Sequence, residues 1–318
     1  MIAFGPVPSR RLGYSLGINH IPPKHCPYSC VYCQVGRTTR METARRSFYS
    51  LDQILQDVER KIAESTQIGA VIDYLTLVPD GEPTLDINLG KLIEGLKVFG
   101  IPIAVISNSS LINHIDVQND LLKADWISLK VDTVDEIQWH RINRPHHRLL
   151  LSSILNGILN FRTRFRGELV TETMFVSELN DSEKAIQKVC DFLLELNPLK
   201  SFLTIPTRPP TEGWVTPPGP ESLQRIFQII SDRILFADLL FEAESADFAS
   251  TGNLVEDILS IAAVHPIREK ALGTMLAQNN SEWMVVDELI NSQELACIQY
   301  RDEKFYMRRF PGQFPKRQ

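Results

Sequence analysis

The sequence predicts an α/β fold built on a parallel sheet, and two observations carry that expectation. Short apolar runs alternate with amphipathic stretches through most of the 318 residues, the pattern of parallel strands joined by right-handed helical crossovers. The polar residues capable of chemistry fall just after the apolar runs, where α/β folds gather their sites. Six strand–helix units suit either an open doubly wound sheet or a partial β/α barrel, and periodicity does not choose between them.

Strands are expected over residues 15–18, 74–78, 103–107, 126–131, 169–175 and 201–205. Helices are expected between them, over 51–65, 88–99, 114–123, 150–165 and 182–196. The first helix shows the reasoning: Ile54, Leu55, Val58 and Ile62 recur at helical spacing and share one face, with charged residues opposite. The run WVTPPGPES then breaks the pattern before a further helix over 221–235. From about Asn253 the chain reads as a separate module: a helix over 265–277, a short helix over 282–291, then two strands, LACIQY and KFYMRRF, around a charged turn. Helices followed by a hairpin resemble a winged helix. The expected division is therefore 1–245 and 253–318.

Composition restricts the function classes. The chain is 43% hydrophobic and 23% charged, an ordinary globular balance. A net charge of −6 argues against a general nucleic-acid binder, although a local basic patch remains compatible. No apolar run is long enough to span a bilayer, and the N-terminus lacks a signal-peptide pattern, so a cytoplasmic protein with no membrane partner is expected. Three of the five cysteines crowd into eight residues while two lie far apart, which is no disulfide framework.

That crowded segment reads KHCPYSCVYCQ, with Cys26, Cys30 and Cys33. Thiolates are the usual ligands of Fe–S clusters, and short spacings let one loop wrap a cubane. Three ligands for four irons leave one iron open, as a site that binds substrate requires. Zinc is the competing metal, but His25 adjoins Cys26 and is poorly placed to close the same tetrahedron. Cys190 and Cys297 form no second half-site. A CxxC disulfide, or three buried inert thiols, are the plainer alternatives.

The triplet resembles the radical S-adenosylmethionine (SAM) superfamily, whose motif is CxxxCxxC with an aromatic before the last cysteine. Cys26, Cys30, Cys33 and Tyr32 match it position by position. The resemblance implies a partial (β/α)6 TIM-type barrel, a [4Fe–4S] cluster on the three cysteines, and SAM on the open iron. It also implies an electron donor such as flavodoxin or ferredoxin, and Tyr32 against the adenine. Gly81–Glu82–Pro83, after the second strand, matches the motif that bonds the SAM amino group, where the residues alone would equally make a Pro/Gly turn. Asn108, in Ile-Ser-Asn-Ser-Ser at the end of the third strand, is similar to the Thr-Asn-Gly of relatives.

On the fourth strand Ser128, Lys130 and Asp132 share one face. Inside a barrel that face meets the SAM ribose or the substrate, so Ser128 and Asp132 are candidate cofactor residues. Glu172 is the candidate barrel-lining acid, with Met174 and then Asn180–Asp181 beyond it. Arg208, after the sixth strand, is a candidate clamp for a carboxylate or phosphate. Lys24 and Lys130 are the nearest lysines, with no role assigned.

FGPVPSRRLG at residues 4–13 and RINRPH at 141–146 resemble a branch around the tRNA wyosine-synthase type Fe–S oxidoreductases. Those synthases hold a second cluster on additional N-terminal cysteines, and this chain has none before Cys26. Cys190 is expected in the core and Cys297 on a short strand. An RNA or nucleotide-like substrate is therefore an expectation on resemblance alone. In the C-terminal module Glu282, Asp287 and Glu288 stand where a phosphate-facing helix wants lysine, and only Lys304, Arg308, Arg309, Lys316 and Arg317 are basic. A non-enzymatic, metal- or redox-sensing regulator that binds nucleic acid is the alternative.

Overall fold

Every expected strand forms, and two further strands flank them. A computed structural model describes residues 2–38, 40–240, 253–264, 266–300 and 302–309. The main sheet runs in chain order through β1 (Ala3–Ser9), β2 (Gly13–Ile18), β3 (Tyr74–Leu77), β4 (Ile103–Ser107), β5 (Trp126–Lys130), β6 (Glu168–Met174), β7 (Lys200–Thr204) and β8 (Ala237–Leu239). All neighbours from β2 to β8 are parallel, and β1 alone is antiparallel, on the edge beside β2. Pro6 and Pro8 obscured β1 in the sequence. Proline cannot donate to a ladder, so a strand carrying two of them is tolerated at an edge.

The choice between an open sheet and a barrel is settled by which residues meet. Ala104, Trp126, Val170 and Phe202, from four successive strands, pack in one cluster with Leu12 and Leu240. A flat sheet would hold β4 and β7 too far apart for that, at about 4.8 Å per strand. The guanidinium of Arg10, just past β1, also donates to the Leu240 carbonyl at 2.7 Å, just past β8, so one side chain spans the two edges. The fold is a partial TIM-type barrel whose floor is an apolar plug.

The outer layer is α1 (Leu51–Gln67), α2 (Leu89–Leu96), α3 (Ile115–Leu121), α4 (Glu136–Ile142), α5 (Leu151–Arg164), α6 (Glu183–Leu196) and α7 (Pro220–Arg233). Outward-facing Leu75, Leu77, Val105, Ile127 and Leu129 meet Ile54, Val58, Leu92, Ile93, Ile154 and Ile158 of the helices. Helix α1 starts where Ser50 caps it by accepting from the Gln53 amide at 3.2 Å. The sequence pattern did not show α4, whose seven residues bury only Trp139 and Ile142. Its signal was Asp135, which accepts from the amides of Ile137 and Gln138. Gly17 is required by a close approach: a Cβ there would lie 2.0 Å from the Phe4 ring of β1.

The C-terminal residues form α8 (Leu254–Val264), β9 (Ile267–Arg268), α9 (Glu269–Gln278), α10 (Met284–Asn291), β10 (Leu295–Tyr300) and β11 (Glu303–Arg308). Their antiparallel sheet has the order β9–β11–β10. Helix α8 was not expected, and α9 begins four residues after the expected start at His265, a position outside the described residues. Lys316 and Arg317 also lie outside them, as do the residues on which the expected boundary falls. The module leans on the barrel through Val7, through a Lys61–Asp257 ion pair at 3.7 Å, and through the Tyr300 hydroxyl, which donates to the Pro206 carbonyl. No described helix is long and apolar enough to cross a membrane.

Candidate active site

The chain leaves β2 and crosses the C-terminal mouth of the barrel as the cysteine loop. Lys24 turns it there with a left-handed φ of 69°, held by its own amide to the Asp80 carbonyl and by its carbonyl from the Arg40 amide. The loop is then braced from two sides. On one side the Glu82 amide donates to the His25 carbonyl at 3.0 Å. Gly81 permits this contact, since a Cβ there would sit 2.2 Å from the same oxygen. On the other side residues 142–146, after α4, run along the loop. The Ser29 and Val31 amides donate to the carbonyls of Asn143 and Ile142, and the His146 amide donates to the Pro27 carbonyl.

All three cysteines line one cavity of about 290 Å³, together with Tyr32, Lys24, Lys130 and the 78–81 loop. Burial, with Glu82 and the other cysteines nearby, pushes the Cys26 thiol well up, and burial with Asp132 beside it takes Cys30 to about 12. These sulfurs therefore ionise when a cation arrives and not before. Three thiols on one cavity wall are the donor set that an Fe–S cluster takes. Among the described residues no three His, Cys, Asp or Glu side chains converge on a point that would hold a single metal. His25 is turned away, its Nδ1 lying 2.5 Å from Glu42 and its ring edge-on to Phe48.

The expected site residues divide by what they already hold. Glu82 does not face the cavity. Its carboxylate accepts from the Thr84 amide and hydroxyl, the Ser107 hydroxyl and the Asn108 amide, so what it offers at the mouth is backbone. Pro83 starts a short 3₁₀ turn behind it. Asn108 does reach the cavity, where its Nδ2 donates to Cys26 Sγ at 3.1 Å. Asp132 is saturated: it accepts from the Tyr32 hydroxyl, from Asn143 Nδ2 at 2.7 Å and from the Met174 amide at 3.0 Å. Ser128 is fully buried lower in the barrel, and its hydroxyl has no partner.

Glu172 lines the barrel as expected, and its partners define what it can do. One oxygen meets Arg11 and the other meets Lys130 Nζ at 2.8 Å. Burial alone would raise its pKa, but the two cations hold it down to about 2. Lys130 is the reverse case: burial would lower it, while Glu172 and Asp132 raise it. Glu172 thus stays ionised and anchors Lys130, whose Nζ also lies 4.9 Å from the Tyr32 ring centroid. Arg208 stands at the rim and donates to Gln34 at 3.2 Å, away from the cavity wall.

Sequence reasoning missed two participants. Arg11 enters from the turn between β1 and β2, far from any motif of the site. Asn143 donates both to Asp132 and to Cys30 Sγ, the latter at 3.4 Å, and lies inside the RINRPH run noted only for its resemblance. Lys24 is a further surprise. It is 7% exposed, its Nζ has no hydrogen-bond partner among the described residues, and burial lowers its basicity.

The family model of the Radical SAM superfamily matches residues 21–190, which include the whole cysteine loop and the barrel from β3 into α6. The chain belongs to the radical SAM superfamily. It is an enzyme of this class, which works with a [4Fe–4S] cluster and SAM. Within the superfamily it falls with the UPF0026 proteins: it is 48% identical to that of Methanocaldococcus jannaschii over 309 residues, 96% of each chain. With the UPF0026 protein of Synechocystis it shares 36% over 208 residues, 65% of this chain and 76% of the relative. Among solved structures, a radical SAM methyltransferase from Sphaerobacter thermophilus superposes with a TM-score of 0.53 at 13% identity, covering 72% of this chain and 68% of the other. SuiB of Streptococcus suis, solved with S-adenosylmethionine bound, gives 0.51 at 13%, covering 72% and 51%. At such identities the likeness to these radical SAM structures concerns the fold alone.

Proposed function

We propose that Cys26, Cys30 and Cys33 hold the [4Fe–4S] cluster by three of its irons, and that SAM lies in the adjoining cavity. The observation that carries this reading is the single cavity shared by all three sulfurs, Tyr32 and the Asp80–Gly81 backbone. When bound, the reduced cluster supplies the electron that cleaves SAM to methionine and a 5′-deoxyadenosyl radical. The chain's own residues bind and shield. Tyr32 is fixed in the wall by Asp132 and Lys130 and offers its ring to the adenine. The backbone of Gly81, Glu82 and Pro83 meets the SAM amino group, and the apolar floor beneath Lys130 keeps water from the reacting end. Glu172 and Lys130 shape the far wall as a fixed ion pair, and Arg208, which already donates to Gln34, is the candidate clamp for an anionic group.

The substrate we favour is an RNA or nucleotide-like anion. Its support is the likeness of residues 4–13 and 141–146 to the tRNA-modifying branch; at the cysteine-loop rim Arg37 and Arg40 are exposed, but they already pair with Glu212 and Glu42. A one-electron donor of the flavodoxin or ferredoxin class is the reductant this chemistry calls for. The catalytic part is taken as 1–245 and the module as 253–318, whose helix–strand–helix–helix–strand–strand order supports a winged-helix-like reading. Five free cysteines fit a reducing cytoplasm.

Anaerobic reconstitution followed by dithionite and SAM tests the reaction: 5′-deoxyadenosine should form only with the cluster in place. Comparison of tRNA nucleosides by mass spectrometry, with and without the gene, tests the substrate. An unchanged nucleoside profile would remove the RNA reading and leave the radical chemistry standing.

A further inference from the structure

Two of the three cysteine sulfurs carry a side-chain amide donor, and the chemistry of each amide fixes which end faces the sulfur. Asn108 Oδ1 accepts from the Ser110 amide at 2.9 Å, so its Nδ2 must be the end that lies 3.1 Å from Cys26 Sγ. Asn143 Nδ2 lies 2.7 Å from a carboxylate oxygen of Asp132, which only a donor satisfies, and the same nitrogen reaches Cys30 Sγ at 3.4 Å. Among the described residues Cys33 has no side-chain amide of this kind. Both asparagines are held by other elements: Asn108 follows β4, and Asn143 closes α4 on the segment that braces the cysteine loop.

We infer that Asn143 and Asn108 set the reduction potential of the cluster, a role that rests on the cysteines holding it as proposed above. Hydrogen bonds to ligand sulfurs are one of the levers that spread Fe–S potentials over a wide range. The reduced cluster carries one more negative charge, part of it on the thiolates, so an N–H donor stabilises the reduced form more than the oxidised form. Removing a donor therefore makes the one-electron reduction harder. Asn143 has a second effect. It also donates to Asp132, orienting the buried carboxylate that lies near the Cys30 sulfur. Asn143 thus acts as a positioning residue that couples Cys30 to the Asp132–Tyr32 pair, and this gives the RINRPH run a physical purpose.

The test is an electron-paramagnetic-resonance redox titration of reconstituted Asn143→Ala, Asn143→Asp and Asn108→Ala proteins beside wild type, with iron content measured on each. Both alanine variants should keep about four irons per chain. Each should lower the midpoint by the equivalent of roughly a threefold to tenfold change in the reduction equilibrium, tenfold being about 59 mV for one electron. Asn143→Asp should shift further in the same direction, because it adds a carboxylate beside Asp132. Should Asn143→Ala fail to hold iron, Asn108→Ala decides alone: its backbone amide keeps the bond to Glu82, while the side chain gives up the sulfur donor and the acceptor for the Ser110 amide. Iron-bearing alanine variants that titrate at the wild-type midpoint overturn the inference while leaving the cluster assignment intact. A wild type that takes up no cluster overturns the assignment and the inference together.

Discussion

Replacing Glu172 by glutamine should destabilise the barrel at neutral pH, because two partly buried cations lose their counter-charge. Glu172 is 6% exposed and sits between Arg11 and Lys130. Its carboxyl is held at about 2 against an ordinary 4.5, a difference of about 2.5 units. At about 1.36 kcal/mol per unit, that corresponds to roughly 3 kcal/mol of folding free energy. The value agrees with the 3–5 kcal/mol typical of breaking a buried pair by removing one partner, so about 3 kcal/mol is expected. The sign follows from the lowered constant. The stabilisation is complete above the unfolded value near 4.5 and disappears as pH falls through the folded value near 2. Urea unfolding of the iron-free protein under anaerobic conditions reads the difference directly. The Glu172→Gln variant should lose about 3 kcal/mol at pH 7, and the gap to wild type should close between about pH 4.5 and 2. Adding Arg11→Met should return part of the loss, as the remaining charge then has less to repel. A Glu172→Gln protein within about 1 kcal/mol of wild type at pH 7 would refute the reasoning and make the triad a solvent-compensated contact.

Three further outcomes are expected. Gly81→Ala should weaken SAM binding and cost about 1–3 kcal/mol, since its Cβ meets the His25 carbonyl at 2.2 Å; isothermal titration and thermal melts would show both. Lys24→Met should stabilise the iron-free protein by about 1 kcal/mol or more, because a buried ammonium without a hydrogen-bond partner among the described residues is replaced by an apolar chain of similar length. A measured loss of stability would mean that the ammonium has a partner in solution. Alanine at Cys26, Cys30 or Cys33 should each abolish cluster uptake, read by iron content and visible absorption. Cys190→Ala, in a helix-to-sheet core, and Cys297→Ala, exposed on β10, should leave uptake unchanged.

How much of this was legible in the sequence depended on whether the signal was local. The six inner strands and their helices were visible because apolar periodicity is written in consecutive residues, and Cys26–Cys33 because a loop that wraps a cluster must be short. Barrel curvature was not legible, since it rests on Leu12, Trp126, Val170 and Phe202 meeting from distant parts of the chain. Strand β1 was hidden by prolines that an edge tolerates, and α4 by its seven-residue length. Glu172 was found, but its character was not: a strand acid can be a proton donor or a locked anion, and Arg11, 161 residues away, decides which. Asp132 and Glu82 were found as polar residues at strand ends, yet most of their acceptor capacity is spent inside the protein. Asn143 lay in the RINRPH run noted for its resemblance, but its role was not legible there, because it lies in two partners reached across the mouth of the barrel.

The most direct test of the account is the product formed from SAM by anaerobically reconstituted, dithionite-reduced protein, measured by mass spectrometry beside the Cys30→Ala variant. The account predicts 5′-deoxyadenosine and methionine from wild type carrying about four irons per chain, and neither product from the variant. A wild-type protein that binds a full cluster and leaves SAM intact, or a variant that cleaves it equally well, would contradict it.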